Sequence, residues 1–253
     1  MTAAKPMQRM PERLNPGTIG LFLDVDGTLL DIAPRPEAVE VTDQLLRDLA
    51  AAEAALGGAL ALVSGRPIAE LDRLFAPLRL KASGVHGAEL RRRPDGAVTR
   101  LTAGQLGNGV WDELSRLLVE FPGSYAENKG VSFAVHYPEP STDIDRLEGA
   151  LRSLMRRNAN PAEPLRLIAG HAVFEIQLQG FDKGRAIRRF MKQTPFLGRR
   201  PVFIGDDKID QAGFETAVRL GGLAYAVGID MPGVSGKFSN PDGVRAWLHE
   251  LGR

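Results

Sequence analysis

The chain has 253 residues, 43% hydrophobic and 25% charged, the balance of an ordinary globular protein long enough for one large domain or a domain plus a smaller one. A net charge of +1 supplies no global basic field for nucleic acid, and no apolar run approaches the roughly 18 residues of a membrane span. Cysteine is absent, which excludes disulfides, thiolate metal sites and cysteine nucleophiles and suits a reducing, cytoplasmic setting.

Residues 1–16 mix Lys, Arg, Glu, Pro and Met without an apolar stretch and read as a disordered leader rather than a signal peptide. Next comes Leu21-Phe22-Leu23-Asp24-Val25-Asp26-Gly27-Thr28-Leu29. An apolar run ending in two carboxylates, Gly and Thr predicts a buried parallel strand with its polar end at the sheet edge where open α/β sheets bind ligands. Acids at i and i+2 share one face of a strand and repel unless a cation or a substrate group justifies them. Asp31 to Pro36 reads as a Pro-broken loop, and helical spacing runs from Val41 to Leu56 before Gly57-Gly58 stops it. Ala59 to Val63 predicts a second strand, again polar at its end, in Ser64-Gly65-Arg66-Pro67. A helix carrying Ile68, Leu71, Leu74 and Phe75 follows, then a third strand over Leu80 to Val85. Strand and helix in alternation imply parallel pairing with right-handed crossovers.

The pattern then changes. Glu89 to Leu101 predicts a hairpin turning at Pro94-Asp95-Gly96, with Arg91-Arg92-Arg93 as a solvated edge. A helix with Val110, Trp111, Leu114, Leu117 and Leu118, strands around Asn128-Lys129-Gly130, a helix over Asp143 to Arg157 and a hairpin across Gly170-His171 make an α+β unit. From Asp182 onward the first style returns. A helix opens at Lys183, a strand Pro201 to Ile204 ends in Gly205-Asp206-Asp207, and a helix through Phe214, a strand Leu223 to Val227 and a final helix after Asn240-Pro241 complete it. The predicted fold is α/β: a Rossmann-like parallel-sheet core over 17–101 and 181–253 with an inserted α+β cap over 102–180, the boundaries falling near Thr102 and Gly180.

A parallel sheet brings its C-terminal strand ends to one edge, so Asp24, Asp26, Ser64 and Asp206, Asp207 and Asp210 converge there, with Lys183 in reach. Carboxylates, a lysine and hydroxyls without His or Cys form a hard-oxygen site. Such a site suits Mg²⁺, which takes few protein oxygens and keeps waters for a phosphate. A carboxylate can attack phosphorus, and a second acid can give and take the proton.

Asp24-Val25-Asp26-Gly27-Thr28, Ser64, Lys183 and Gly205-Asp206-Asp207 resemble, in order and at strand ends, the four motifs of haloacid dehalogenase-like (HAD) phosphohydrolases. The finer resemblance is to the trehalose-6-phosphate phosphatases, through Ser64-Gly65-Arg66, Gly84-Val85-His86-Gly87-Ala88-Glu89, Glu127-Asn128-Lys129-Gly130 with Phe133 to Tyr137, and Asp210 with Phe214. The resemblance implies Asp24 as nucleophile, Asp26 as general acid/base with its backbone carbonyl on Mg²⁺, and Thr28, Ser64 and Gly65 around the phosphoryl group. It implies Lys183 as the neutralising cation, Asp206 as a metal ligand, and Asp207 or Asp210 as the supporting carboxylate, Asp210 being favoured. Arg66, His86, Glu127, Lys129 and Glu175 are implied substrate contacts. Ile209, Gln211 and Pro138 depart from the family, which has Thr, Glu and Arg there. The expected enzyme is a Mg²⁺-dependent trehalose-6-phosphate phosphatase acting on a small molecule as a monomer, without nucleic acid or membrane. The alternatives are a phosphatase of another sugar phosphate (sucrose phosphate, mannosyl-phosphoglycerate), a mutase, or a non-catalytic phosphosugar-binding module.

Overall fold

The computed structural model describes residues 14–32, 39–101, 106–138, 142–161, 164–170 and 172–253. Residues 1–13 of the expected leader, most of the loop from Asp31 to Pro36, the boundary residue Thr102 and His171 of the last predicted hairpin lie outside them. The chain divides into two compact units, Met1–Thr99 with Asp182–Arg253, and Arg100–Phe181.

In the first unit β1 (Ile19–Leu23) is buried along its whole length, as a strand covered on both faces must be. Helix α1 (Asp43–Ala55) starts at Thr42, whose side chain accepts a hydrogen bond from the Leu45 amide at 3.2 Å, satisfying one of the free donors of the first turn. Strand β2 (Leu60–Val63), helix α2 (Ile68–Leu74), β3 (Lys81–Gly84), β4 (Glu89–Arg91) and β5 (Thr99–Arg100) follow.

The second unit comprises α3 (Asn108–Leu118), β6 (Tyr125–Asn128), β7 (Ser132–His136), α4 (Ile144–Arg157), β8 (Leu165–Gly170) and β9 (Val173–Leu178). Its strands form an antiparallel sheet in the order β6-β7-β9-β8. Leu147, Leu151 and Leu154 form the buried stripe of α4, and Trp111 of α3 packs on Phe133 of β7 with ring centres 5.2 Å apart. The alternating strand pattern leaves the other sheet face polar.

The chain then re-enters the first unit with α5 (Lys183–Phe190), β10 (Arg200–Gly205), α6 (Gln211–Arg219), β11 (Leu223–Val227), β12 (Gly236–Phe238) and α7 (Pro241–Leu251). Among the described residues the strands order as β12-β11-β10-β1-β2-β3-β4-β5. Pairing is parallel from β12 through β3 and antiparallel between β3 and β4. Strands β1 and β10 come from opposite halves of the chain and lie side by side, with Phe22 opposite Phe203. Phe22 also stacks on Phe196 at 5.0 Å and leans on Phe190 at 5.9 Å, so one aromatic cluster locks β1 to the elements that return from the insert.

One strand lies outside the sequence reading, and one expectation needs correction. Strand β12 was not foreseen: three residues between Gly- and Ser-rich turns carry too short a pattern, and what makes them a strand is fully buried Phe238, packed on Tyr225 and Trp247. Arg91 is not part of a solvated edge. It is 1% exposed, its guanidinium donates twice to the Leu80 carbonyl (3.1 and 2.8 Å) and once to Asp72 (2.6 Å), and only Arg92 and Arg93 face solvent. Removing a buried guanidinium strands its partners. Arg91→Ala is therefore expected to lower unfolding free energy by about 2–3 kcal/mol, read as a drop in denaturant midpoint at unchanged slope. A loss below about 0.5 kcal/mol would return Arg91 to the surface class.

Candidate active site

The chain after β1 does not continue straight. Val25 accepts amide hydrogens from Thr28, Leu29 and Leu30, and Gly27 takes φ +73° with its Cα so close to Asp206 that a Cβ would sit 1.9 Å from Oδ2. No other residue type fits there. This turn separates the two acids that an extended strand would have put on one face. Asp24, 5% exposed, ion-pairs through Oδ1 with Lys183 Nζ at 2.7 Å. Asp26 is held elsewhere: the Arg66 guanidinium donates to both of its oxygens at 2.7 Å each, the bidentate geometry that suits Arg better than Lys.

Lys183 opens α5 behind the Asp182 N-cap and also pairs with Asp210. Asp210 is fully buried. Its Oδ2 accepts the amide hydrogens of Asp206 (2.9 Å) and Asp207 (3.1 Å), so it shapes the loop after β10 as well as binding Lys183. Asp207 turns its carboxylate to its own 3₁₀ turn, accepting from the Lys208 amide. Thr28, fully buried, donates to Asp206 Oδ1 at 3.3 Å. The carboxylates whose oxygens converge within 4.8 Å of one another are Asp24, Asp206 and Asp210.

The charge balance is unfavourable for three carboxylates and one ammonium. Burial first, then the neighbouring Asp210 and Asp206, hold the Asp24 carboxyl well above its usual range against the opposing pull of Lys183. Burial and Asp210 push Asp206 up to about 6. Burial on its own would lower the Lys183 ammonium, but Asp210 and Asp24 outweigh it and hold the group above its usual range. Excess negative charge on hard oxygens in a buried cluster fits a divalent cation. Asp24 and Asp206 are the acids free to bind one, because both oxygens of Asp210 are already engaged.

Ser64, 1% exposed, follows β2 and accepts the Arg66 amide hydrogen through Oγ at 3.1 Å. The loop it begins is clamped from behind by the turn after β3. Val85 and His86 donate their amide hydrogens to Arg66 and Ser64 carbonyls, both at 3.1 Å. Val85 and His86 take φ values of 46° and 50°, a left-handed conformation that costs side-chain-bearing residues about 1–3 kcal/mol each. Gly65 makes room for the His86 ring, since a Cβ there would fall 2.6 Å from Nε2. Two supporting residues were not among the expected site residues. Glu70 accepts a hydrogen bond from Arg66 Nη1 at 3.4 Å, and Glu89 accepts the Ile68 amide hydrogen at 2.8 Å. The i, i+4 spacing of Arg66 and Glu70 was the available signal; Glu89 closes the Gly84-to-Glu89 motif of the resemblance, but its partner comes from another element and no spacing shows it.

In the second unit, the register places Glu127, Ala134 and Glu175 side by side across β6, β7 and β9. Residues opposite one another share a sheet face. Glu127 Oε2 lies 3.7 Å from both Lys129 Nζ and His136 Nε2. His136 foremost, with Lys129 and against the effect of burial, holds the Glu127 carboxyl below its usual range. Tyr125 stacks on His136 at 4.8 Å, and Glu175 is 3% exposed. Buried Glu175 and part-exposed Glu127 flank small Ala134 on the polar face of a sheet whose opposite face is apolar.

Residues 22–239 match the family model described as trehalose-phosphatase. The chain belongs to the trehalose-phosphatase family. It is 38% identical over 232 residues to the trehalose-6-phosphate phosphatase of Escherichia coli K12, covering 91% of this chain and 85% of that protein. It is 40% identical over 216 residues to a probable trehalose-phosphate phosphatase of Sinorhizobium fredii, covering 84% and 78%. The fold is that of the C-terminal domain of the Candida albicans trehalose-6-phosphate phosphatase (TM-score 0.78, 21% identity, 93% and 92% covered). It is shared by a Bacteroides thetaiotaomicron phosphatase of the HAD superfamily (TM-score 0.61, 17% identity, 96% and 98% covered). No helix among the described residues is long and apolar enough to cross a membrane.

Raised carboxyl groups have a measurable consequence. Folded Asp24 and Asp206 retain protons at pH values where an unfolded chain has lost them; the Asp206 contribution to the stability of cation-free protein is lost as pH rises from about 4 through about 6, and Asp24 adds a loss in the same direction. A divalent cation competes with those protons. Its addition is expected to raise the thermal midpoint more at about pH 7.5 than at about pH 5.5; equal gains at both would contradict the assignment of the cluster.

Proposed function

We propose that this family member hydrolyses trehalose 6-phosphate to trehalose and phosphate, in the cytoplasm and as a monomer, by way of an aspartyl-phosphate on Asp24. The observation that carries the reading is the buried Asp24–Lys183 pair at 2.7 Å within a cluster of three acids at the C-terminal edge of the parallel sheet. That edge is where α/β sheets place ligands.

In this reading Asp24 attacks phosphorus and the ester bond to the sugar breaks, the leaving oxygen taking a proton from Asp26. Water then attacks the aspartyl-phosphate, gives its proton to Asp26, and frees phosphate and Asp24. Arg66 grips both oxygens of Asp26, so Asp26 must exchange that partner before it reaches the leaving oxygen. Lys183 keeps Asp24 from being repelled by the incoming phosphate. Thr28, Ser64 and Gly65 are assigned to the phosphoryl oxygens. Mg²⁺, held by Asp24, Asp206 and the Asp26 carbonyl, with Asp207 and Asp210 behind them, would neutralise charge developing on the phosphoryl group. The His86 turn, Arg66, and Glu127, Lys129 and Glu175 of the second unit are assigned to sugar hydroxyls, whose binding can be used to orient the phosphate.

The test is a purified-enzyme panel. Phosphate release is expected from trehalose 6-phosphate with Mg²⁺, with a marked preference over sucrose phosphate, mannosyl-phosphoglycerate and simple hexose phosphates. Comparable turnover across the panel would refute the sugar assignment and leave the phosphatase. Asp24→Asn should fold normally and lose at least about 10³-fold in kcat, since an amide cannot form the acyl-phosphate; substantial residual turnover would rule out the covalent route.

A further inference from the structure

Buried polar atoms are almost always hydrogen-bonded, so exceptions gathered on one surface need a reason. Three of them lie on one face of the sheet in the second unit. The pairing of β7 with β9 sets Ser132 opposite Gln177, and the pairing of β7 with β6 sets His136 opposite Tyr125. Positions two and four apart on a strand share a face. Ser132, His136 and Gln177 therefore stand on the face of Glu127, Ala134 and Glu175, and Phe133, Phe174 and Ile176 on the other. Ser132 and Gln177 are fully buried. Yet Ser132 Oγ, Gln177 Nε2 and His136 Nε2 are closed to solvent and have no hydrogen-bond partner among the described residues. The His136 nitrogen stands 3.7 Å from the Glu127 carboxylate. The direction of the Gln177 amide is fixed. Its Oε1 accepts from Arg166 Nε at 3.0 Å and Nη2 at 2.6 Å, and Arg166 is its neighbour on β8. A guanidinium only donates, so the atom it touches is the oxygen. The Nε2 atom is turned away from Arg166, with its N–H groups offered to whatever occupies the face.

We propose that Gln177 and Ser132 form a second row of hydroxyl-binding groups on this face, and that the row makes the enzyme a reader of disaccharide phosphates. The proposal rests on the phosphatase reading above and deepens it. The row of Glu127, Ala134 and Glu175 and the row of Ser132 and Gln177 are two residues apart along β7 and β9, about 7 Å at the rise of a strand. That is farther than neighbouring hydroxyls on one ring and suits hydroxyls on two linked rings. The two rows are also complementary. Glu127 and Glu175 bring acceptor oxygens, Gln177 Nε2 brings donors and Ser132 Oγ is both, while a sugar hydroxyl donates and accepts. A monosaccharide phosphate that fills only the first row leaves the buried Gln177 donors unmet. An unmet buried donor is the costly mismatch from which discrimination against a smaller substrate arises.

Steady-state kinetics of Gln177→Glu with trehalose 6-phosphate and with glucose 6-phosphate, in the presence of Mg²⁺, test the row. The substitution keeps the shape of the side chain and an oxygen for Arg166, and replaces only the donor nitrogen. The ratio of kcat/KM for trehalose 6-phosphate to that for glucose 6-phosphate should fall at least about tenfold, carried mainly by KM for the disaccharide. Ser132→Ala removes a single unpartnered hydroxyl and should fold like wild type; its ratio should fall at least about threefold. An unchanged ratio in Gln177→Glu overturns the row, whatever happens to the thermal midpoint, because the amide then serves the fold alone. If Gln177→Glu does not fold, an unchanged ratio in Ser132→Ala overturns it instead. Equal losses on both substrates also overturn it, since they mark damage that does not distinguish one ring from two. Wild-type protein that releases no phosphate from trehalose 6-phosphate overturns the substrate reading and the row with it, whereas wild-type turnover with unchanged variant ratios overturns the row alone.

Discussion

Lys183 is the charge on which the site depends. Three carboxylates, Asp24, Asp206 and Asp210, meet in a buried space, where burial and the charge of Asp210 raise the carboxyls of Asp24 and Asp206. Lys183 binds two of them and is itself almost completely buried. Its place at the start of α5 runs against the helix dipole, which favours anions there. The acids outweigh the dipole because they act at contact distance in a low-dielectric surrounding. Without the ammonium, burial and the neighbouring acids would raise Asp24 further, since Lys183 is the charge that opposes them.

The rest of the edge distributes charge by the same logic. Asp24 and Asp26 are neighbours in sequence, yet each has its own cation from a different element: Lys183 of α5 for the first and Arg66, just before α2, for the second. The turn at Gly27 lets them diverge, and the approach of Asp206 to that glycine is the reason a side chain is excluded there. Asp210 has a structural task alongside its ion pair, since its two amide contacts fix the loop that presents Asp206. Strain is concentrated nearby, at Val85 and His86, where two backbone hydrogen bonds hold an unfavourable turn against the Ser64 loop.

The second unit solves a different problem. Its sheet is amphipathic, with Phe133, Phe174 and Ile176 buried, Glu127, His136 and Glu175 on the opposite strand positions, and Lys129 just past the end of β6. Small Ala134 lies between Glu127 and Glu175 in the register, and His136 and Lys129 beside Glu127 hold its carboxyl below the usual range. Acids arranged this way can accept hydrogen bonds from hydroxyls, which is the chemistry a sugar needs.

Much of this was legible in the chain itself. Apolar runs ending in Asp24, Ser64 and Asp206 predict parallel strands and the edge they share, because side-chain burial on both faces demands continuous hydrophobicity and polar groups can only collect where the strand stops. The change of pattern after Glu89 and its reversal at Asp182 mark an insertion for the same reason. What sequence could not settle is who partners whom. Arg91 belongs inside because Leu80 and Asp72 come to meet it, although it reads as one of three surface arginines. β12 is a strand because β11 and two aromatic rings cover Phe238. Arg66 binds Asp26, and Asp210 binds the Asp206 and Asp207 amides, through contacts that depend on turns and on distances between separate elements. Periodicity encodes which face of an element is buried. Only the tertiary structure decides which charges meet, because pairing depends on the three-dimensional approach of segments that are remote along the chain.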